Sequence, residues 1–429
     1  MDTENPLPPP TGFFGKNPSL KIREFQTYLS LRFGLIFALN MQSTIIYYWV
    51  YHITNDKLAL GLVGLSEVIP AICCSFFSGH VVDQNEKRKM VLLCVLAYIF
   101  IGGGLLFLAL PVTESHLDVY DIVHLVYFFV FLGGILRSFY APSMFSLFGL
   151  VVPRPLYPNA TSWSSMAWQA GSVVGPLVAG FLIAWHGIPA GLGAVLGIEL
   201  LLLIPILSIG VKPIMKKEKE PVLQSVTEGL KFVWKTPALL SALSLDMFSV
   251  LFGGAVALLP VYQKEILHVN EMGFGILRSA PGIGALLTLG LLAFLPLKTR
   301  PGRKLFISVG CFALTIIIFG ISTNFYLSFF MLLLSGMFDA VSVVIRSTIL
   351  QLVTPDHMRG RVSAVNTMFV SSSNELGDFE SGLMAHWLGT VKAVVAGGCI
   401  TLGVVVTTYF RAPQLRNFTF DEDEKKNEG

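Results

Sequence analysis

Apolar residues run along this chain in long, nearly uncharged stretches, each closed by a short break of polar, glycine or proline residues. Stretches of about 18 residues or more match the hydrocarbon thickness of a bilayer, whereas a soluble helix would be apolar on one face only. Twelve membrane-crossing helices are predicted, at about 26–50, 58–82, 89–110, 121–145, 160–185, 189–211, 238–262, 271–297, 304–322, 325–352, 362–388 and 391–410. The chain then divides into an N-terminal segment (1–25), a first six-helix bundle (26–211), a linker (212–237), a second six-helix bundle (238–410) and a charged tail (411–429). In the linker, Leu223, Val226, Leu230 and Val233 recur at helical spacing after the charged stretch Lys216, Lys217, Glu218, Lys219 and Glu220, predicting an amphipathic helix on the membrane surface. The polar, proline-rich start holds no short apolar core, so the first span itself is expected to direct insertion.

Shifted by 202 residues, the chain lays Leu132–Gly187 on Leu334–Gly389 without a gap. The coincidences fall on Gly134/Gly336, Pro153/Pro355, Gly175/Gly377, Gly180/Gly382, Trp185/Trp387 and Gly187/Gly389. Glycine, proline and tryptophan occupy special backbone or packing positions, so compositional bias matches them less easily than aliphatics. The fold class this implies is an all-α membrane protein with twelve transmembrane helices in two pseudo-symmetric bundles, the architecture typical of secondary transporters.

Composition agrees. Hydrophobic residues make up 53%, charged residues 13%, and mean hydropathy is +0.68, outside the range of a water-soluble domain. The segments before the first span, after every even span and after the last hold 23 of the 30 Lys and Arg, while the opposite loops hold Lys57, Lys264 and Lys392. That bias puts both termini in the cytoplasm of a cell inner or plasma membrane. It also explains the net charge of +3 as topology, and the dispersal of the basic residues excludes a nucleic-acid-binding face. All five cysteines lie within spans, as packing residues with neither disulfide nor zinc spacing. His124, His186 and His386 sit near span ends, as interfacial residues do.

After the second span the chain reads Gly79-His-Val-Val-Asp83-Gln-Asn-Glu-Lys87-Arg88-Lys89. This resembles the G-x-x-x-D-R-x-G-R-K/R signature of the major facilitator superfamily, with Gln84 in place of arginine and Glu86 in place of glycine. The second half keeps Arg300-Pro-Gly302-Arg303-Lys304 at the corresponding place. In that family the signature is a cytoplasmic latch, which implies that role for Gly79, Asp83, Lys87, Arg88, Arg300, Gly302 and Arg303. Asp83 is expected to cap or face the positive end of a neighbouring helix, and the glycine to permit close contact. The fifth span carries Gly171, Gly175, Pro176 and Gly180, which resemble the antiporter motif of exporters in the same superfamily. Further segments, Leu60–Leu65, Leu245–Pro260 and Arg359–Gly382, look like the bacterial branch that includes the enterobactin exporter and macrolide-efflux-like proteins.

A charged side chain at the centre of a membrane helix costs about 2.5–3.5 kcal/mol even on lenient scales, so those retained face a cavity or a partner. In the superfamily the first, fourth, seventh and tenth helices line the central cavity, and here these carry Arg32, Arg137, Asp246, Asp339 and Arg346. The resemblance makes these five the candidates for a substrate cavity or gate, with Arg137 and Asp339 at equivalent positions of the two halves. Glu67, Asp246, Asp339, Glu375 and Asp378 are candidates for a proton-coupling carboxyl, Glu375 and Asp378 sharing one helix face. The chain holds no Walker loop, H-E-x-x-H or G-x-S-x-G. The expectation is a monomeric, non-enzymatic exporter of a small amphipathic drug-like or siderophore-like compound, with no metal or cofactor, driven by the proton gradient through alternating access. Uptake, lipid movement and a non-transporting receptor with this fold are the alternatives.

Overall fold

The computed structural model describes residues 17–212, 222–294, 300–355 and 358–419, and among these it is helical with no strand. The charged linker stretch Lys216–Glu220, Lys298, the first sixteen residues and the tail from Phe420 lie outside the described residues. Ten stretches are long and apolar enough to cross a membrane. One of them, 159–208, is two limbs joined at Gly187, and one more crossing helix, Arg359–Leu388, is too polar to count among the ten. The crossing helices are therefore twelve. We label them α1 (Arg23–Thr54), α2 (Lys57–Gln84), α3 (Lys87–Leu108), α4 (Val119–Val151), α5 (157–186), α6 (188–208), α7 (Pro237–Gly253, extended by irregular turns to Ile266), α8 (Glu271–Phe294), α9 (Pro301–Ile321), α10 (Phe325–Val353), α11 (Arg359–Leu388) and α12 (Thr390–Arg411).

Local chemistry sets their ends. Asp56 caps α2 by accepting from the Leu58 amide at 2.9 Å, and Asn324 caps α10 by accepting from Leu327 at 3.1 Å. Gly187 and Gly389 both take positive φ, 79° and 84°, to break α5 from α6 and α11 from α12. A side chain would be strained at either place, which is why the repeat keeps glycine there.

The other repeated glycines also have repeated tasks. A Cβ at Gly134 would lie 2.2 Å from the Glu67 carbonyl oxygen of α2, and one at Gly336 would lie 1.9 Å from the Pro281 oxygen of α8. Gly175 lets α5 close on the Phe37 carbonyl of α1, as Gly377 lets α11 close on Val250 and Leu251 of α7. Gly180 meets Gly275 of α8, and Gly382 meets Gly61 of α2, so both members of this third pair sit at close contacts between bundles. Trp185 and Trp387 are 67% and 71% exposed at the span ends, where an indole suits the membrane interface.

The linker helix, Val222–Lys235, packs against α11 at Gly229 and buries Val233 with Leu239, Leu243, Val362 and Val365, while Leu230 and Trp234 stay exposed. The side chains of Leu223 and Val226 lie outside the described residues. A short helix, Pro413–Arg416, follows α12 and lies against Gly302 of α9.

Candidate functional site

The polar composition of α11 makes sense from its position. It packs against α2 of the first bundle and α7 of its own, so its acids face protein rather than lipid. Arg137, midway along α4, donates to Glu67 Oε1 of α2 at 2.8 Å and to Glu375 Oε1 of α11. One guanidinium thereby holds a carboxylate from each half. Arg137 keeps 43% of its side chain exposed and Glu67 30%, against 10% for Glu375, so the cation faces open space between the bundles while the α11 carboxyl is sealed behind it. The second carboxyl oxygen of Glu375 is buried without a hydrogen-bond partner.

One turn along α11, Asp378 accepts from the Tyr47 hydroxyl of α1 at 2.5 Å. Arg278 of α8 stacks over the same Tyr47 ring at 4.9 Å and donates to Ser43 Oγ at 3.1 Å. Its Nη1 is buried without a partner. This midplane site thus joins α1, α2 and α4 to α8 and α11, and sets Glu67, Glu375 and Asp378 against Arg137 and Arg278. There is one carboxyl more than there are cations.

The structure separates the other predicted charges from this site. Asp246 and Arg346 form an ion pair inside the second bundle with side chains only 7% and 6% exposed, so they do not line the open space expected of a substrate cavity. Asp339 lines a small cavity beside Asp246 and does not pair with Arg137. Equivalence in the repeat does not bring Arg137 and Asp339 together. The repeat relates the two positions within their own bundles, and their side chains meet different neighbours. Arg32 ties α1 to α5 by donating to the Ser164 carbonyl at 3.1 Å and to the Tyr28 hydroxyl at 3.4 Å.

At the end where α1 begins and α12 finishes, Lys87 donates to the carbonyls of Val82, Asp83 and Asn85 and so caps α2. Arg88 donates to the Ile206 and Leu207 carbonyls at the end of α6, at 3.1 and 2.9 Å. Asp83 is exposed, and the cap it was expected to provide comes from Glu86, which accepts from the Arg88 and Lys89 amides at 3.1 and 2.9 Å. The residue that departs from the family signature therefore supplies the carboxylate at the positive end of α3. A Cβ at Gly79 would meet nothing within 4 Å. Arg300 caps α9 in the left-handed region (φ 45°), Arg303 is exposed, and Gly302 admits the Leu415 carbonyl. In the fifth span, Gly171 and Gly175 approach Phe37 of α1, whereas the Pro176 carbonyl and Gly180 meet Gly275 of α8.

The bundles are fastened together at the opposite end. Tyr48 donates to Glu271 at 2.9 Å, Tyr51 donates to Glu265, and Lys57 lies 3.1 Å from the same Glu265. Lys264 donates to Asn55 at 2.6 Å, and His386 lies 3.4 Å from Asp56. Sequence reasoning took Lys57 and Lys264 only as topology marks and His386 as interfacial. It also passed over Arg278, and Glu199 of α6, whose two carboxyl oxygens are buried without partners beside Gly102. Their signal was available as ionisable residues within apolar spans.

Two bundles of six helices, joined at a polar midplane site, define an integral membrane transporter. The Major Facilitator Superfamily profile matches residues 29–377, and the chain belongs to that superfamily. It is similar to the enterobactin exporter EntS of Citrobacter koseri, 28% identical over 337 residues and 76% of each chain, and to that of Escherichia coli O1:K1 / APEC, 28% identical over 342 residues, 76% of this chain and 77% of that one. Among solved structures it shares its fold with a D-xylose–proton symporter (TM-score 0.72, 14% identity, 92% of this chain and 99% of that one). A bacterial homolog of the human lysosomal transporter Spinster gives a TM-score of 0.71 at 16% identity, over 92% of this chain and 98% of that one.

Proposed function

We propose that this chain is a proton-coupled exporter of a small amphipathic compound, siderophore-like in class, which works by rocking its two bundles (26–211 and 238–410) about the Arg137 site. The observation that carries the reading is the carboxyl of Glu375. One oxygen accepts from Arg137 across the bundle interface, and the other is buried with nothing to bond. A carboxylate in that position wants a donor on its free oxygen, and a bound proton removes the charge that is buried there without one. Protonation also weakens the hold of Glu375 on Arg137, leaving the guanidinium to Glu67 of its own half. A proton thereby loosens one tie between the bundles. The surplus of one carboxyl over the cations fits the uptake of one proton.

The Lys and Arg bias supports termini in the cytoplasm, so that the fastened end is the outer one and the site opens inward. The export direction and the siderophore-like cargo rest on the relatives, which are enterobactin exporters. The energy source in this reading is the proton gradient, with no prosthetic group, and the working unit is a monomer.

The test uses inverted membrane vesicles and uptake of a labelled catecholate siderophore. Glu375→Gln should lose accumulation driven by an imposed proton gradient while keeping counterflow exchange, since glutamine preserves shape but cannot cycle a proton. Full gradient-driven accumulation in this variant would overturn Glu375 as the coupling group. Accumulation in the parent chain that ignores a protonophore would overturn proton coupling itself.

A further inference from the structure

Within the second bundle, away from the Arg137 site, Asp246 and Ser249 of α7, Val309 and Phe312 of α9, and Phe338, Asp339 and Ser342 of α10 are among the side chains that enclose a small cavity. Its volume of about 10 Å³ leaves room for a single water-sized occupant. Ser342, which lines this space, is 3% exposed, and its Oγ is buried without a partner. Ser249 is 4% exposed and spends its hydroxyl proton on the Leu245 carbonyl, which leaves its oxygen lone pairs free to accept. Asp339 has no hydrogen-bond or ion-pair partner among the described residues.

We propose that this cavity is a sodium site. Its oxygens are those a hard cation takes, two carboxylates and two hydroxyls. Arg346 is committed to Asp246, so the local charge is one negative, on Asp339, and this matches a monovalent rather than a divalent ion. A proton alone would need one carboxyl oxygen and neither a cavity nor a partnerless hydroxyl. A water molecule would satisfy Ser342 but would leave the Asp339 charge uncompensated inside the bundle, where that is costly. The ion adds a second link between α10 and α7 beside the Arg346–Asp246 pair, so its binding stabilises the bundle.

The experiment is equilibrium binding to the full chain purified in lipid nanodiscs. Binding of radioactive sodium is read by scintillation proximity, and Tm is compared in sodium chloride and choline chloride at equal ionic strength. We expect a saturable signal that unlabelled sodium displaces and choline does not, with a sodium-dependent rise in Tm. Asp339→Asn should abolish both. Ser342→Ala, which keeps every charge and nearly all the volume, should move half-saturation to higher sodium even if Asp339→Asn fails to fold. Identical Tm in the two salts with no displaceable signal, a response to pH but not to sodium, or a signal untouched by both variants would each overturn the site. No gradient enters this measurement, so its failure leaves proton-driven export standing, and failure of export leaves the sodium site standing.

Discussion

Arg137 and Arg346 carry the same charge in different surroundings, so substitution should separate transport from stability. Arg346 and Asp246 are sealed in the second bundle, and removing one partner of a buried pair strands the other at a cost of about 3–5 kcal/mol. Arg346→Met should therefore lower Tm sharply, and adding Asp246→Leu should restore most of it, because an apolar pair leaves no charge unpaired. Arg137 and its partner Glu67 are partly exposed, although Glu375 is not, so Arg137→Gln should lower Tm less than Arg346→Met does. Its loss should appear in transport instead, with counterflow exchange, but not gradient-driven accumulation, partly rescued by Glu375→Gln and neither rescued by Asp339→Asn. Thermal unfolding, vesicle accumulation and counterflow on the same variants make the comparison. Rescue of Arg137→Gln by Asp339→Asn would show that the two sites meet in another conformation.

At the scale of helices, the fifth span's glycines make two different contacts and predict two different phenotypes. A side chain at Gly175 runs into the Phe37 carbonyl of α1 inside the first bundle, so Gly175→Leu should destabilise the protein by about 1–3 kcal/mol. A side chain at Gly180 runs into Gly275 across the bundle interface. Gly180→Leu should leave Tm close to that of the parent chain and abolish transport, since only the fastened arrangement needs that close approach. Equal destabilisation by both would refute the assignment of Gly180 to a moving contact. The sequence made these glycines visible because a 202-residue shift aligns backbone positions with special needs, and Gly187 and Gly389 do share a positive φ. The same shift could not say which side chains meet. It aligned Arg137 with Asp339, whereas Arg137 bonds an acid on α2 and another on α11, helices whose approach is set by tertiary packing. Arg278 was missed for a related reason. Family resemblance directed attention to the first, fourth, seventh and tenth helices, and α8 reaches the midplane through the Tyr47 stack.

For the whole molecule, alternating access requires that the fastened end come apart once per cycle. The ties there are few and polar: Tyr48 to Glu271, Tyr51 and Lys57 to Glu265, Lys264 to Asn55, and His386 to Asp56. Ion pairs exposed to solvent contribute little individually, about 0–1 kcal/mol, which suits contacts that must break and reform. His386 and Asp56 keep 49% and 45% of their side chains exposed, so reagents can reach both. A chain with its five native cysteines replaced by serine, carrying Asp56→Cys and His386→Cys, should be cross-linked by a short bis-thiosulfonate reagent. The linked protein should lose substrate accumulation, and reductant should restore it, because the bundles can open inward but no longer outward. Each single-cysteine variant treated alike should keep its flux, which controls for simple loss of the His386–Asp56 pair. Imposing a proton gradient should slow cross-linking if it draws the population away from the fastened state. Undiminished accumulation in a fully cross-linked sample would mean that this end does not open during transport, and the rocking motion about the Arg137 site would have to be abandoned.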